Sequence, residues 1–254
     1  MTIHYLDPNP TGEHAVLLLH GLGADGESWA LQFPALAAAG FRPLAVDFPG
    51  FGASPAPAGR WSIRAAARAA AGVLPSLGIE SADVVGLSMG GVAAQLIALE
   101  TPHLVRRLVL VSTFACLRPK GWSETAYLLR RFALANLRGV RYQAATVAWR
   151  VFPDSDQAVL RDILIEKILA ADPKVYRAAM RGLALFDSRR RLASIRQPAL
   201  IISGEHDTTV PPQAQRELTA IPGSRQVVIP GGNHAVIADQ PEAFNQTLLA
   251  FLLS

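Results

Sequence analysis

Cysteine occurs once in the 254 residues. A single Cys116 excludes an internal disulfide and fits a reducing compartment. Long apolar runs are missing too. None approaches the 18 or more residues that a membrane span needs. The first run, Ala15 to Leu19, is too short for a signal peptide and has no basic leader before it. No spacing of His, Cys and carboxylates suggests a metal. The glycine-rich turns lack the Gly-x-Gly-x-x-Gly and Walker spacings that follow a strand in nucleotide sites, so no cofactor is expected. Basic residues neither run together nor interleave with aromatics, which argues against nucleic acid as a partner. The reading that remains is a cytoplasmic, soluble protein with no membrane partner; a homodimer stays open.

Half of the residues are hydrophobic, enough for a sizeable core in one large α/β domain or a core with an inserted subdomain. The net charge of +4 hides an asymmetry. Residues 118–196 hold 16 Lys/Arg and 7 Asp/Glu, while the rest holds 8 and 13. The basic residues recur at helical intervals, as on solvated helix faces. If Arg118, Lys120, Arg130 and Arg131 faced a pocket, they would instead draw anionic substrates toward it.

Strand and helix patterns alternate along the chain. Met1 to Asp7 reads as an edge strand, and Ala15–Leu19 and Pro43–Asp47 as buried strands. A helix is expected from Trp29 to Ala39 and another from Ser62 to Leu77. Ala82–Val85 and Arg107–Ser112 are further strands, with a helix over Val92–Leu99 between them. Alternation then stops, and helices are expected at Glu124–Arg138, Tyr142–Val151, Asp156–Ala171 and Lys174–Leu185. It resumes with strand Pro198–Ser203, helix Pro212–Ala220, strand Arg225–Ile229 and helix Glu242–Leu253. The pattern predicts an α/β fold with a mostly parallel, doubly wound sheet. On this reading residues 1–113 and 196–254 form the core, and 114–195 form an inserted helical lid.

Gly86-Leu87-Ser88-Met89-Gly90-Gly91 stands where a buried strand meets a helix. Such a turn holds its serine in strained geometry with Oγ above the sheet, and the helix N-terminus adds N–H donors beside it. A serine needs a base to take its proton and a third group to orient that base. His234 and Asp207 each follow a strand, and the chain order Ser88, Asp207, His234 is the one that accompanies this turn. Asp207 as a helix cap with Glu205 as the acid is the competing reading. Asp239 reads as a cap of the last helix, and His20 as a structural support of the loop after its strand. Asp47, Gly50, Gly52 and Ser54 read as a structural turn.

These segments together resemble the α/β-hydrolase family, in its esterase, enol-lactonase and C–C hydrolase group. The resemblance rests on His20-Gly21, Asp47-x-x-Gly50-x-Gly52-x-Ser54, Gly86-x-Ser88-x-Gly90-Gly91, Gly204-x-x-Asp207-x-x-x-Pro211 and Gly232-x-His234. It implies a catalytic triad of Ser88, Asp207 and His234, with backbone N–H groups of Leu22 and Met89 as an oxyanion hole. The expected activity is cofactor-free cleavage of a small carboxylic ester or lactone by water, through an acyl-enzyme. C–C bond hydrolysis and aminopeptidase action on an N-terminal proline remain alternatives, as does a receptor that keeps the fold without turnover. Phe114, Trp122, Trp149, Phe186 and Val210 are the candidate pocket residues.

Overall fold

The computed structural model describes residues 2–117 and 139–254. Among these, seven strands form one sheet in the order β1-β3-β2-β4-β5-β6-β7. They are β1 (Tyr5–Leu6), β2 (His14–Leu19), β3 (Phe41–Val46), β4 (Ala82–Leu87), β5 (Val105–Val111), β6 (Ala199–Gly204) and β7 (Arg225–Ile229). Only the β1–β3 pair is antiparallel. The register levels the carboxyl ends: Leu19 lies opposite Val46 and Gly86, and Leu87 opposite Val111. Every loop that follows β2 to β6 therefore opens on one edge of the sheet, where parallel sheets hold their ligands.

The strands are apolar because both faces are covered. Leu17, Leu19, Val84, Leu108 and Ile201 point into one core. Their neighbours Val16, Leu18, Val85, Val109 and Ile202 point into the other. Each large side chain so buried stabilises the fold by about 1.5–3 kcal/mol. The first core is closed by helices α2 (Ile63–Ala71) and α4 (Met89–Glu100). α2 is capped by Ser62, whose hydroxyl accepts from Ala65 N at 3.2 Å. Ala66, Ala67, Ala70 and Ala71 face inward, and the outward arginines Arg64 and Arg68 both pair with Glu100. The second core is closed by α1 (Phe33–Ala38) and a C-terminal helix over Pro241–Leu252.

Prolines shorten two expected helices. The one expected from Trp29 divides into a 3₁₀ turn over Gly26–Trp29 and α1, in which Pro34 takes a first-turn position. Only there is its missing N–H harmless. The helix expected over Ser62–Leu77 breaks at Gly72, and α3 (Val73–Ser76) carries Pro75. Between β5 and β6 the chain runs through α5 (Gly139–Val151), α6 (Ala158–Ala170) and α7 (Pro173–Leu185). The expected helix Glu124–Arg138 lies outside the described residues, as do Arg118, Lys120, Trp122, Arg130 and Arg131. After β6 come α8 (Pro212–Arg216), a 3₁₀ turn, β7, α9 (Val236–Asp239) and α10 (Pro241–Leu252). None of the helices described is long and apolar enough to cross a membrane.

α6 and α7 sit directly on the loop after β2. Gly23 has φ +82°, and a Cβ there would lie 2.5 Å from Ile168 Cγ1, so a side chain would push α6 away. Lys167 of α6 reaches the same loop, with Nζ 2.6 Å from Asp25 Oδ2 and 2.5 Å from Glu27 Oε2.

Candidate active site

Ser88 joins β4 to α4 with φ 55° and ψ −110°, outside the space that side-chain-bearing residues prefer. Such a conformation costs on the order of 1–3 kcal/mol and persists only when its surroundings impose it. Here they do. Ser88 N donates to Val111 O at 2.9 Å, and Ser88 O accepts from Thr113 Oγ1 at 2.7 Å. At Gly90 a Cβ would fall 2.0 Å from Leu19 O, so glycine alone lets α4 come this close to β2. Met89 opens α4, and its N–H is among the first four of a helix, which have no intrahelical partner.

Asp207 and His234 meet across the loops after β6 and β7. His234 Nδ1 lies 3.1 Å from both carboxylate oxygens, with both residues buried. Asp207 Oδ1 also accepts from Thr209 N at 2.8 Å and Val210 N at 3.0 Å, and Oδ2 from Gln215 Nε2 at 3.0 Å. Burial pushes the Asp207 carboxyl up, but the His234 ring and the Thr209 and Val210 N–H groups outweigh it and hold the carboxyl below its ordinary value. It is ionised at neutral pH. Glu205 is exposed and turns to the Gly231 N–H at 2.9 Å.

His20 fixes the loop that begins at Gly21. Its Nε2 accepts from Phe48 N at 3.0 Å, so the proton sits on Nδ1 and is donated to Gly21 O at 2.7 Å. Burial holds this imidazole below its ordinary pKa and keeps it neutral. The unfolded chain takes up a proton near pH 6.5 where the folded chain does not. Stability that is complete above that pH should thus fall as pH drops below it, with a slope of up to about 1.4 kcal/mol per unit. Chemical denaturation of the wild type and His20→Gln between pH 7.5 and 5 is expected to show a shallower slope in the variant. Equal slopes would dissociate His20 from the acid sensitivity.

Asp47 clasps the neighbouring turn, as expected. Its carboxylate accepts from Gly26 N at 2.7 Å and Ala53 N at 2.8 Å and meets His4 Nδ1 at 2.8 Å. Asp239 departs from expectation. The last helix α10 is preceded by Gln240, with no side-chain cap, and Asp239 Oδ2 instead accepts from Asn233 N at 2.6 Å. It braces the His234 loop rather than the helix.

Ser88 and His234 line one cavity of about 440 Å³. Two of the candidate pocket residues, Phe114 and Val210, line it together with Leu22, and Gly21 stands against the serine: a Cβ on it would be 3.7 Å from Ser88 Cβ. Two candidate pocket residues need correction among the described residues. Trp149 is 57% exposed, with the Arg161 guanidinium 3.9 Å over its ring, so its helix turns it to solvent. Phe186 packs on Phe114 at 6.4 Å between ring centroids and stays behind the lining. The sequence reading missed Leu164, Lys167, Tyr176 and Met180 on α6 and α7. Their helical spacing looks the same for a pocket wall as for a core. Among the described residues no group of three or more His, Cys, Asp or Glu is placed to hold a metal.

A family described as alpha/beta hydrolase fold matches residues 14–241, most of the chain. The protein belongs to that family. This α/β hydrolase is 33% identical to a 2-hydroxy-6-oxononadienedioate/2-hydroxy-6-oxononatrienedioate hydrolase of Burkholderia vietnamiensis, over 99% of its own chain and 91% of the relative. It is 32% identical to a putative carbamate hydrolase of Azorhizobium caulinodans, over 93% and 90% of the two chains. Among solved structures it is similar to the enol-lactonase of Burkholderia xenovorans, with TM-score 0.87 and 30% identity over 99% and 96% of the chains. In this hydrolase the strand order reverses direction between β2 and β4, and Gly21 and Ser88 stand at that point.

Proposed function

We propose that the protein is a serine hydrolase that cleaves small carboxylic esters or lactones through an acyl-enzyme. One observation carries the reading: a strained serine and a histidine paired with a buried carboxylate open onto the same cavity. Ser88 Oγ attacks the carbonyl while His234 takes its proton, and Asp207 holds the imidazole and stabilises its charged form. The N–H groups of Leu22 and Met89 receive the oxyanion. His234 then returns the proton to the leaving group and activates the water that releases the acid. α5, α6 and α7 act as the cap over the site.

C–C hydrolysis is the second reading, favoured by the relative named for a nonadienedioate substrate. The lining supports uncharged substrates instead. Among the described lining residues Lys167 is the one cation, and Asp25 and Glu27 both pair with it. A carboxylate entering here would compete with two acids already in place.

The test compares p-nitrophenyl butyrate, p-nitrophenyl hemisuccinate, simple lactones and a vinylogous dienedioate. Butyrate should exceed hemisuccinate in kcat/KM on the order of tenfold, about 1.4 kcal/mol of charge discrimination. Fluorophosphonate should label Ser88. A dienedioate turned over faster than every ester and lactone would overturn the reading in favour of C–C cleavage.

A further inference from the structure

Gln215 is buried at 1% exposure on α8, a five-residue helix that Pro211 and Pro212 start after the acid loop. Its Nε2 lies 3.0 Å from Asp207 Oδ2 and 3.0 Å from Val210 O. Both partners are acceptors, so the amide can face them only through its N–H groups. Its other end makes the point sharper. Gln215 Oε1 is buried and finds no partner among the described residues. Burying an unsatisfied carbonyl is unfavourable, so what this side chain contributes comes from its donors.

The carboxylate of Asp207 is gripped on both oxygens. Apart from the imidazole, Oδ1 is held by two backbone N–H groups of its own loop and Oδ2 by Gln215. That grip fixes the carboxylate plane so that His234 Nδ1 stands 3.1 Å from each oxygen. Without the amide, Oδ2 has only the imidazole, and the carboxylate can turn about the Oδ1 anchor.

We propose that Gln215 is a positioning residue of this site, its amide setting the plane of the Asp207 carboxylate against the His234 ring. The proposal rests on the reading of Ser88, His234 and Asp207 as a triad. The titratable and charged groups around the acid loop are His234, the exposed Glu205 and His206 of the loop itself, and, from α5, Arg150, whose guanidinium donates to Thr208 O. Removing the amide also removes a hydrogen bond that favours the charged carboxylate. Asp207 then becomes more basic and holds a protonated imidazole more strongly.

The variants are Gln215→Leu and Gln215→Met, which keep most of the volume and remove the donor. Rates on p-nitrophenyl acetate are counted per site labelled by fluorophosphonate, so misfolded protein does not enter. We expect kcat to fall on the order of tenfold, the size of one charge-assisted hydrogen bond, with KM changed by less than about twofold. The acid limb of kcat/KM should move to higher pH by about half a unit or more. A mere loop brace through Val210 O would lower the melting temperature and leave kcat per labelled site and the limb unmoved. That outcome in either variant overturns the proposal. The carboxyl carbon of Asp207, titrated by 13C NMR in wild type and Gln215→Leu, provides a readout that needs no turnover. Its midpoint should rise in the variant. If the wild type shows no Ser88-dependent hydrolysis, the triad reading fails on its own. An unmoved Asp207 midpoint removes the role of Gln215 in either case.

Discussion

Ser88→Ala is expected to lower kcat on small esters by a factor on the order of 10⁴ or more, and His234→Ala by a similar factor. The double variant should be hardly slower than either single one, because a nucleophile and its base, the roles proposed for the two residues, act as a unit. In the proposed mechanism each loss has a cause. Alanine at position 88 keeps the positive φ, which the Ser88 N–Val111 O and Thr113–Ser88 O bonds impose, but has no oxygen to form the acyl-enzyme. Alanine at position 234 leaves the serine with no base and Asp207 with no imidazole. Rates measured on folded protein, with labelling by fluorophosphonate as a second readout, check both. Additive losses in the double variant would mean that the two side chains act in separate steps.

Asp207→Asn should reduce kcat on the order of 10⁴ while the protein stays folded. An amide can still accept from Thr209 N and Val210 N through its oxygen. Its NH₂ then faces both Gln215 Nε2 and His234 Nδ1, donor against donor. The imidazole must turn its proton toward the serine, the wrong tautomer for a base. Stability changes with a definite sign. The native Asp207 carboxyl sits below its ordinary value, so it stabilises the fold above about pH 4, and that contribution fades as pH falls through the lower native value. The asparagine variant lacks it at neutral pH, and the difference from wild type should narrow in acid. Glu205→Gln is the companion measurement. Glu205 is exposed and bonds Gly231 N, so its variant should keep near-normal rates. The reverse pattern, an active Asp207→Asn and an inactive Glu205→Gln, would move the acid role to Glu205.

Features that depend on neighbouring residues were legible in the sequence. Mainly apolar runs of four to six residues announced strands buried on both faces, and glycines two residues either side of Ser88 announced a turn too tight for side chains. Asp207 and His234 each follow a strand, and in a parallel sheet those positions share one edge whatever lies between them. Proline limits helices that apolar periodicity alone would extend. Pro34 and Pro75 each shorten a helix by a rule that the sequence states openly.

Only the tertiary structure decided which side chains meet across long separations. Asp25 and Lys167 are 142 positions apart, and nothing local to either marks the other as its partner. Trp149 and Tyr176 both lie on helices with mixed faces, yet one turns to solvent under Arg161 and the other lines the cavity. Helix periodicity tells which residues share a face, but the direction of that face depends on how the helix docks on the sheet. Gln215 shows the limit best. It lies eight residues after Asp207, in a segment whose pattern says only that it is helical. A turn started by two prolines folds that helix back, and its amide reaches the carboxylate that the preceding loop had already placed.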